Sequence, residues 1–202
     1  MLHLYVIRHG ETEWNVEKRS QGRLDSELTD KGKNDARALG KRLKDIEFQH
    51  IITSPSKRTM ETAKLVKGDR PIALTTDDRL LEINLGAWQG KTEDEIRMAF
   101  PEEYHLYWNQ PEAYTSQEGE SFLEVQLRTE TFLNELEQNF TEGNVLVVTH
   151  GVVIKTLYLI CRGASIHEIW HPPFIHGTSL TTVNISDGKR ELLLEGCSAH
   201  CT

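Results

Sequence analysis

Two histidines stand in the same local setting. Leu4-Tyr5-Val6-Ile7-Arg8-His9-Gly10 lies near the start, and Val145-Leu146-Val147-Val148-Thr149-His150-Gly151 repeats the pattern 141 residues later. Each apolar run reads as a buried parallel strand, and the glycine after it lets the backbone turn sharply or approach a ligand. Arg8 flanks the first histidine. Arg58 follows the strand-like His50-Ile51-Ile52-Thr53 by one helical turn, and Glu82 follows a third strand after a short link. Ligands of an open parallel sheet bind beyond the carboxyl ends of its strands, so five polar groups from distant segments meet at one sheet edge.

Phosphate accounts for this set. Guanidinium groups offer paired donors matched to phosphoryl oxygens, so Arg8 and Arg58 can hold a dianion and stabilise charge developing in transfer. A neutral imidazole is a competent nucleophile, which makes His9 a candidate to take the phosphoryl group as phosphohistidine. His150, protonated beside the dianion, would donate to an equatorial oxygen. Glu82 would protonate the departing alcohol and then accept a proton from water. The scheme uses no metal and no cofactor. Singly, each residue has a plainer reading: a structural histidine, a surface arginine, a solvated loop carboxylate. Together those readings require every residue to fall past a strand end by coincidence.

The elements that must position these groups are legible in outline. Residues 2–7 read as a first strand. Thr29 to Asp45 carries Ala36, Leu39 and Leu43 at helical spacing, continued by Ile46, with Thr29 as N-cap. Ser54-Pro55 is expected to open a second helix, Ser as cap and Pro in the first turn, and that helix's N-terminus also favours an anion. Pro71 to Thr75 forms a third strand. Thr92 and Ser121 each begin a capping box, so helices start at both. The stretch from about 84 to 120 reads as an inserted lid. Strand 145–148 leads into a helix from Val152 to Ile160, and the chain closes with strands Thr178–Ile185 and Leu192–Glu195 around Asp187-Gly188. Alternating strands and helices make the class α/β, a three-layer αβα sandwich with a mostly parallel sheet, in a single domain spanning 1–202.

Composition narrows the partners. The formal charge of −8 argues against broad contact with nucleic acid or an anionic membrane, so converging basic residues serve a small anionic ligand. No apolar run reaches the length of a membrane span, and the N-terminus lacks the layout of a signal peptide. Cys161, Cys197 and Cys201 form no paired framework, which suits a reducing cytoplasm. Cys197, Cys201 and His200 would make only a weak metal set at the C-terminal end. A monomer and a homodimer both fit.

At this point the chain resembles the histidine phosphatase superfamily, the phosphoglycerate mutase-like proteins. The Arg8-His9-Gly10-Glu11-Thr12-Glu13-Trp14-Asn15 stretch carries the likeness, continued by Gln21-Gly22, Asp25, Leu28-Thr29 and Gly32. Ser54-Pro55 with Arg58 and Glu61-Thr62-Ala63 extend it, as do Glu82 with Gly86, Trp88 and Gly90, and Val148-Thr149-His150-Gly151. The resemblance implies His9 as phosphorylated nucleophile, Glu82 as proton donor, and Arg8, Arg58 and His150 around the phosphoryl group. It adds Asn15, Gln21, Gly22 and the backbone of Gly151 to the pocket.

Within that family, hydrolysis competes with phosphoryl shuttling. Classical mutases follow the matching Glu with Arg-His-Tyr, whereas here Glu82 is followed by Ile83-Asn84-Leu85. From Asn84 to Glu120 only Lys91 and Arg97 oppose eight acidic residues, a segment poorly charged for clamping a second anion. The pattern favours the broad-specificity phosphatase branch. Tyr104, Tyr107, Trp108, Tyr114, Trp170 and Phe174 would either wall the non-phosphate part of a substrate or pack the core. A phosphoglycerate mutase, a narrow α-ribazole phosphate or fructose-2,6-bisphosphate phosphatase, and a phospho-ligand binding module remain the alternatives.

Overall fold

The first apolar run forms β1 (Leu2–Arg8) in the computed structural model, which describes residues 1–201. Thr12 caps a four-residue helix, α1 (Glu13–Val16), and Thr29 caps α2 (Asp30–Arg42) by accepting the Gly32 N–H. Then come β2 (Phe48–Thr53), α3 (Lys57–Lys67) and β3 (Ala73–Thr76). Short α4 (Glu93–Ala99) and α5 (Pro101–Asn109) occupy the segment expected as a lid. Long α6 (Phe122–Asn139) leads to β4 (Gly143–Thr149) and α7 (Gly151–Arg162). A final hairpin, β5 (Leu180–Ser186) and β6 (Lys189–Cys197), turns at Asp187 and Gly188, both left-handed.

The six strands lie in the order β3-β2-β4-β1-β5-β6. β3, β2, β4 and β1 run parallel, and β5 and β6 add an antiparallel edge. The two apolar runs are therefore adjacent central strands, in register from Leu4 opposite Val145 to Arg8 opposite Thr149. Alternation explains why both runs are wholly apolar. Leu4, Val6, Val145 and Val147 face a core built with α6 and α7, whereas Ile7, Leu146 and Val148 face one built with α2 and α3. The result is the expected three-layer sandwich.

The helix caps at Thr29, Thr92 and Ser121 form as the sequence predicts, each worth about 1 kcal/mol. α3 differs. It begins at Lys57 rather than at Pro55, and Ser56, at its N-cap position, makes no side-chain cap bond. The Asp25 carboxylate, from a loop far away in sequence, accepts the Lys57 N–H at 3.0 Å and the Arg58 N–H at 3.4 Å instead. The segment expected as a lid is rooted in the main core: Leu85, Trp88, Ile96, Tyr107 and Tyr114 join the cluster beneath β1 and β4. Among the described residues, no helix is long and apolar enough to cross a membrane.

Candidate active site

His9 and His150 follow paired strands, and the His9 N–H donates to the Thr149 carbonyl at 2.9 Å. Their rings lie 5.4 Å apart, tilted by 60°. Past β1 the chain leaves the sheet in a tight corner. The Gly10 N–H donates to Thr62 Oγ1 at 2.9 Å, and that hydroxyl donates to the Arg58 carbonyl one turn back in α3. His9 Nδ1 lies 2.8 Å from the Gly10 carbonyl oxygen, which only accepts, so the ring proton sits on Nδ1. Nε2 keeps its lone pair and bonds to nothing else among the described residues. Burial, then Arg58 and Arg8, hold the His9 pKa well below the ordinary histidine value, so the ring stays neutral.

His150 sits at the N-cap position of α7 and is fully buried. Its Nδ1 faces Arg58 Nη2 at 3.1 Å, and its Nε2 lies 2.9 Å from Ser54 Oγ and 3.1 Å from Ser56 Oγ. A guanidinium only donates, so Nδ1 accepts and Nε2–H donates to the serines. Ser54 and Ser56 are thus partners of His150 rather than helix caps. Burial again leads the depression of this pKa, with Arg58, His9 and Arg8 behind it. The ring is thereby held neutral; the sequence reading charges it only beside a bound dianion.

Arg58 is held from several sides. Nη1 donates to Asp25 Oδ1 at 2.7 Å and to the Leu24 carbonyl at 2.6 Å, while Nη2 also reaches the Gly22 carbonyl at 2.7 Å. Arg8 Nη1 donates to the Ile175 carbonyl at 2.6 Å. The Nε atoms of both arginines are buried without a hydrogen-bond partner. Two orphaned guanidinium N–H groups in one site require an explanation, and an oxyanion supplies it. The N-terminus of α3 is not part of that anion site, because Asp25 already occupies its leading N–H groups.

Glu82 Oε1 accepts the Ile83 N–H at 3.0 Å, and Oε2 lies 3.3 Å from the Val152 N–H in the first turn of α7. A Cβ added at Gly151 would lie 3.8 Å from both Arg8 Nε and Glu82 Oε2, so the first residue of α7 is wedged between these side chains. Asn15 is fixed by the α1 capping box, its Oδ1 3.0 Å from both the Thr12 N–H and Thr12 Oγ1, which leaves its amide NH₂ to donate. Gln21 is committed at both ends: Nε2 donates to Thr12 Oγ1 at 2.9 Å, and Oε1 accepts from Ser26 at 3.1 Å. These bonds fix the side chain in the loop and leave its second amide N–H to donate. Gly22 has φ +54°, and an added Cβ would come within 2.4 Å of Gln89 Oε1.

His9, Arg8, Arg58, Glu82, Asn15, Gln21 and Gly22 line a cavity of about 170 Å³. It shares Arg8, Glu82, Tyr107 and Val152 with a chamber of about 420 Å³ walled also by Trp108, Trp170, Pro172, Phe174 and Ile175. The expected aromatic wall therefore divides. Tyr107, Trp108, Trp170 and Phe174 face the chamber, Tyr104 lines a neighbouring space of about 330 Å³, and Tyr114 is core.

The sequence profile of the histidine phosphatase superfamily (branch 1) matches residues 4–197. The chain belongs to that superfamily. "Bacillus stearothermophilus YhfR" superposes with TM-score 0.97 at 44% identity, covering 100% of both chains. An α-ribazole phosphatase from Shigella flexneri gives TM-score 0.89 at 26% identity, covering 98% of this chain and 97% of that one. Phosphoserine phosphatase 1 of Hydrogenobacter thermophilus is 32% identical over 170 residues, 84% of this chain and 81% of its own length.

In this histidine phosphatase fold, Asp25, Thr62 and Ser56 have contacts that sequence reasoning does not assign, and Ser54 exchanges its expected cap for His150. Asp25 and Thr62 stood in the matching motifs, but only contacts across the fold reveal what they hold. At the C-terminal end, Cys197 Sγ and His200 Nδ1 lie 3.2 and 3.3 Å from Arg42 Nη1, and Cys201 Sγ lies 3.3 Å from Thr178 Oγ1. These side chains pack on α2 and the segment before β5. Among the described residues, no group of three or more His, Cys, Asp or Glu is placed to hold a metal ion.

Proposed function

We propose that the protein hydrolyses small organic phosphomonoesters through a phosphohistidine formed at Nε2 of His9. The observation that carries this reading is an unprotonated, unpartnered imidazole nitrogen in a small cavity lined by two arginines whose Nε–H groups have no partner. His9 Nε2 attacks phosphorus while Arg8 and Arg58 hold the non-bridging oxygens, joined by the Gly151 N–H and the Asn15 amide. Glu82 gives its proton to the departing oxygen. Water then attacks the phosphohistidine, Glu82 takes the water's proton, and phosphate and free His9 are released. The relatives named as phosphatases support hydrolysis over shuttling. We place the enzyme in the reducing cytoplasm, where its three free thiols persist.

The aromatic chamber receives the alcohol portion. Its walls suit bodies less polar than a sugar, and they impose few directional contacts, so specificity is loose. The test is rapid quenching with labelled substrate, beside steady-state hydrolysis of a phosphomonoester panel with and without chelator. The expected result is an alkali-stable, acid-labile phosphoprotein that disappears in His9→Ala, with chelator-resistant activity on several esters. Strict metal dependence, or turnover without enzyme phosphorylation, overturns the mechanism. Activity on a single metabolite overturns the loose specificity.

A further inference from the structure

Lys155 lies in the middle of α7, in the otherwise apolar run Val152-Val153-Ile154-Lys155-Thr156-Leu157-Tyr158, and is only 7% exposed. Its ammonium donates to the His171 and Pro173 carbonyls at 2.5 and 2.7 Å, which leaves one N–H of three. Among the described residues, no carboxylate lies within ion-pairing distance of it. Glu195 on β6 is paired with Arg162, further along α7. A buried cation without a counter-ion is costly unless something compensates it, and carbonyl dipoles supply only part of that compensation.

Its position suggests the rest. Lys155 lines the aromatic chamber, whose only other charged residues, Arg8 and Glu82, stand at the phosphoryl end. Gly151 and Lys155 are four residues apart on α7, so they share a helix face and are separated by about 6 Å along the axis. One aromatic ring spans that turn.

We propose that Lys155 forms an anion subsite, and that the chamber accepts phosphomonoesters whose apolar body ends in a carboxylate. The proposal rests on the phosphatase reading above. The second cation missing from the inserted segment is thus supplied from the opposite wall. The charged groups around the ammonium are Arg162 on its own helix, Glu195 on β6, and Arg8 and Glu82 across the chamber. His171 lends only its carbonyl, its ring standing exposed beside Glu168. Burial, with Arg162 next, lowers the Lys155 pKa to about 8.

The experiment compares 4-carboxyphenyl phosphate with its neutral isostere 4-carbamoylphenyl phosphate. Near pH 7 the wild-type enzyme should favour the carboxylate in kcat/KM by roughly tenfold or more. That preference should fade as pH rises through about 8, where the free enzyme's ammonium discharges. Lys155→Met should lose the preference at every pH and keep hydrolysing the amide. The wild-type pH profile tests the subsite even if the variant fails to fold. An unchanged ratio in Lys155→Met, or a pH-independent ratio in wild type, makes the lysine a loop staple only and overturns the subsite. Wild-type inactivity on both esters defeats the phosphatase reading itself, and the subsite with it.

Discussion

The two His-Gly corners share a sequence and a sheet position, yet the chain leaves them differently. After β1 it enters a loop, so His9 spends its only ring N–H on the neighbouring Gly10 carbonyl and presents a bare nitrogen. After β4 it enters α7 directly, so His150 stands at a helix start against the first turn of α3, where Arg58 and two serines occupy both ring nitrogens. The glycines diverge too. A Cβ at Gly10 would come within 2.9 Å of the Gly32 carbonyl oxygen, backbone against backbone, whereas one at Gly151 meets only side chains at 3.8 Å. The element that follows a motif decides its role.

The largest effect should separate the histidines. His9→Ala removes the attacking atom, so turnover should fall on the order of 10⁵-fold with no phosphoenzyme in a quenched reaction. His150→Ala removes the ring that accepts from Arg58 and so orients its guanidinium, and the loss should be about 10²–10³-fold. That variant should still accumulate phosphohistidine on His9. A His150 variant that never labels would erase the division of labour. Glu82→Gln sits between the corners. It should cost about 10²–10⁴-fold on alkyl esters and far less on p-nitrophenyl phosphate, whose leaving group departs unprotonated. Equal losses on both would remove Glu82 as the acid.

The glycines sharpen the same contrast at smaller scale. Gly10→Ala forces α2 away from the corner and should destabilise the fold by about 2 kcal/mol, seen as a lower thermal midpoint. Gly151→Ala is conformationally easy at a helix start, so the midpoint should hold. Its methyl projects between Arg8 and Glu82, however, and kcat/KM should drop about tenfold or more. If both variants lose stability and neither loses specific activity, Gly151 marks only a turn.

How far the sequence carried this picture depended on the range of each interaction. Both central strands, the caps at Thr29, Thr92 and Ser121, and the gathering of Arg8, His9, Arg58, Glu82 and His150 rest on local periodicity and on where parallel strands end. The start of α3 was misplaced because its true cap, Asp25, comes from a separate loop, which no local rule can see. Helix α1 went unread because its capping box closes with Asn15 where Glu or Gln is usual. Gln21 matched the motif, but only the fold shows its amide anchored on Thr12 and Ser26. Lys155 did carry a signal, a lone charge in an apolar helix, and its meaning depended on the chamber that other segments enclose.

The last difference between the histidines concerns protons. Both are held neutral when folded, while the unfolded chain protonates them near pH 6.5. The unfolded state therefore binds more protons below that range, and stability should decline as pH falls through it, by at most about 1.4 kcal/mol per pH unit for each ring. Above that range the two rings contribute no pH dependence. On the sequence reading His150 charges beside a bound dianion and donates to an equatorial oxygen, which requires Nδ1 to give up the hydrogen bond it accepts from Arg58. His9 must stay neutral to attack. Tungstate, a dianion that does not titrate near neutrality, should therefore bind with uptake of about one proton, read by calorimetry in buffers of different ionisation enthalpy. His150→Asn should abolish the uptake while weakening binding. Uptake that survives in His150→Asn would put the proton on Glu82 or His9 and remove His150 as the charged donor.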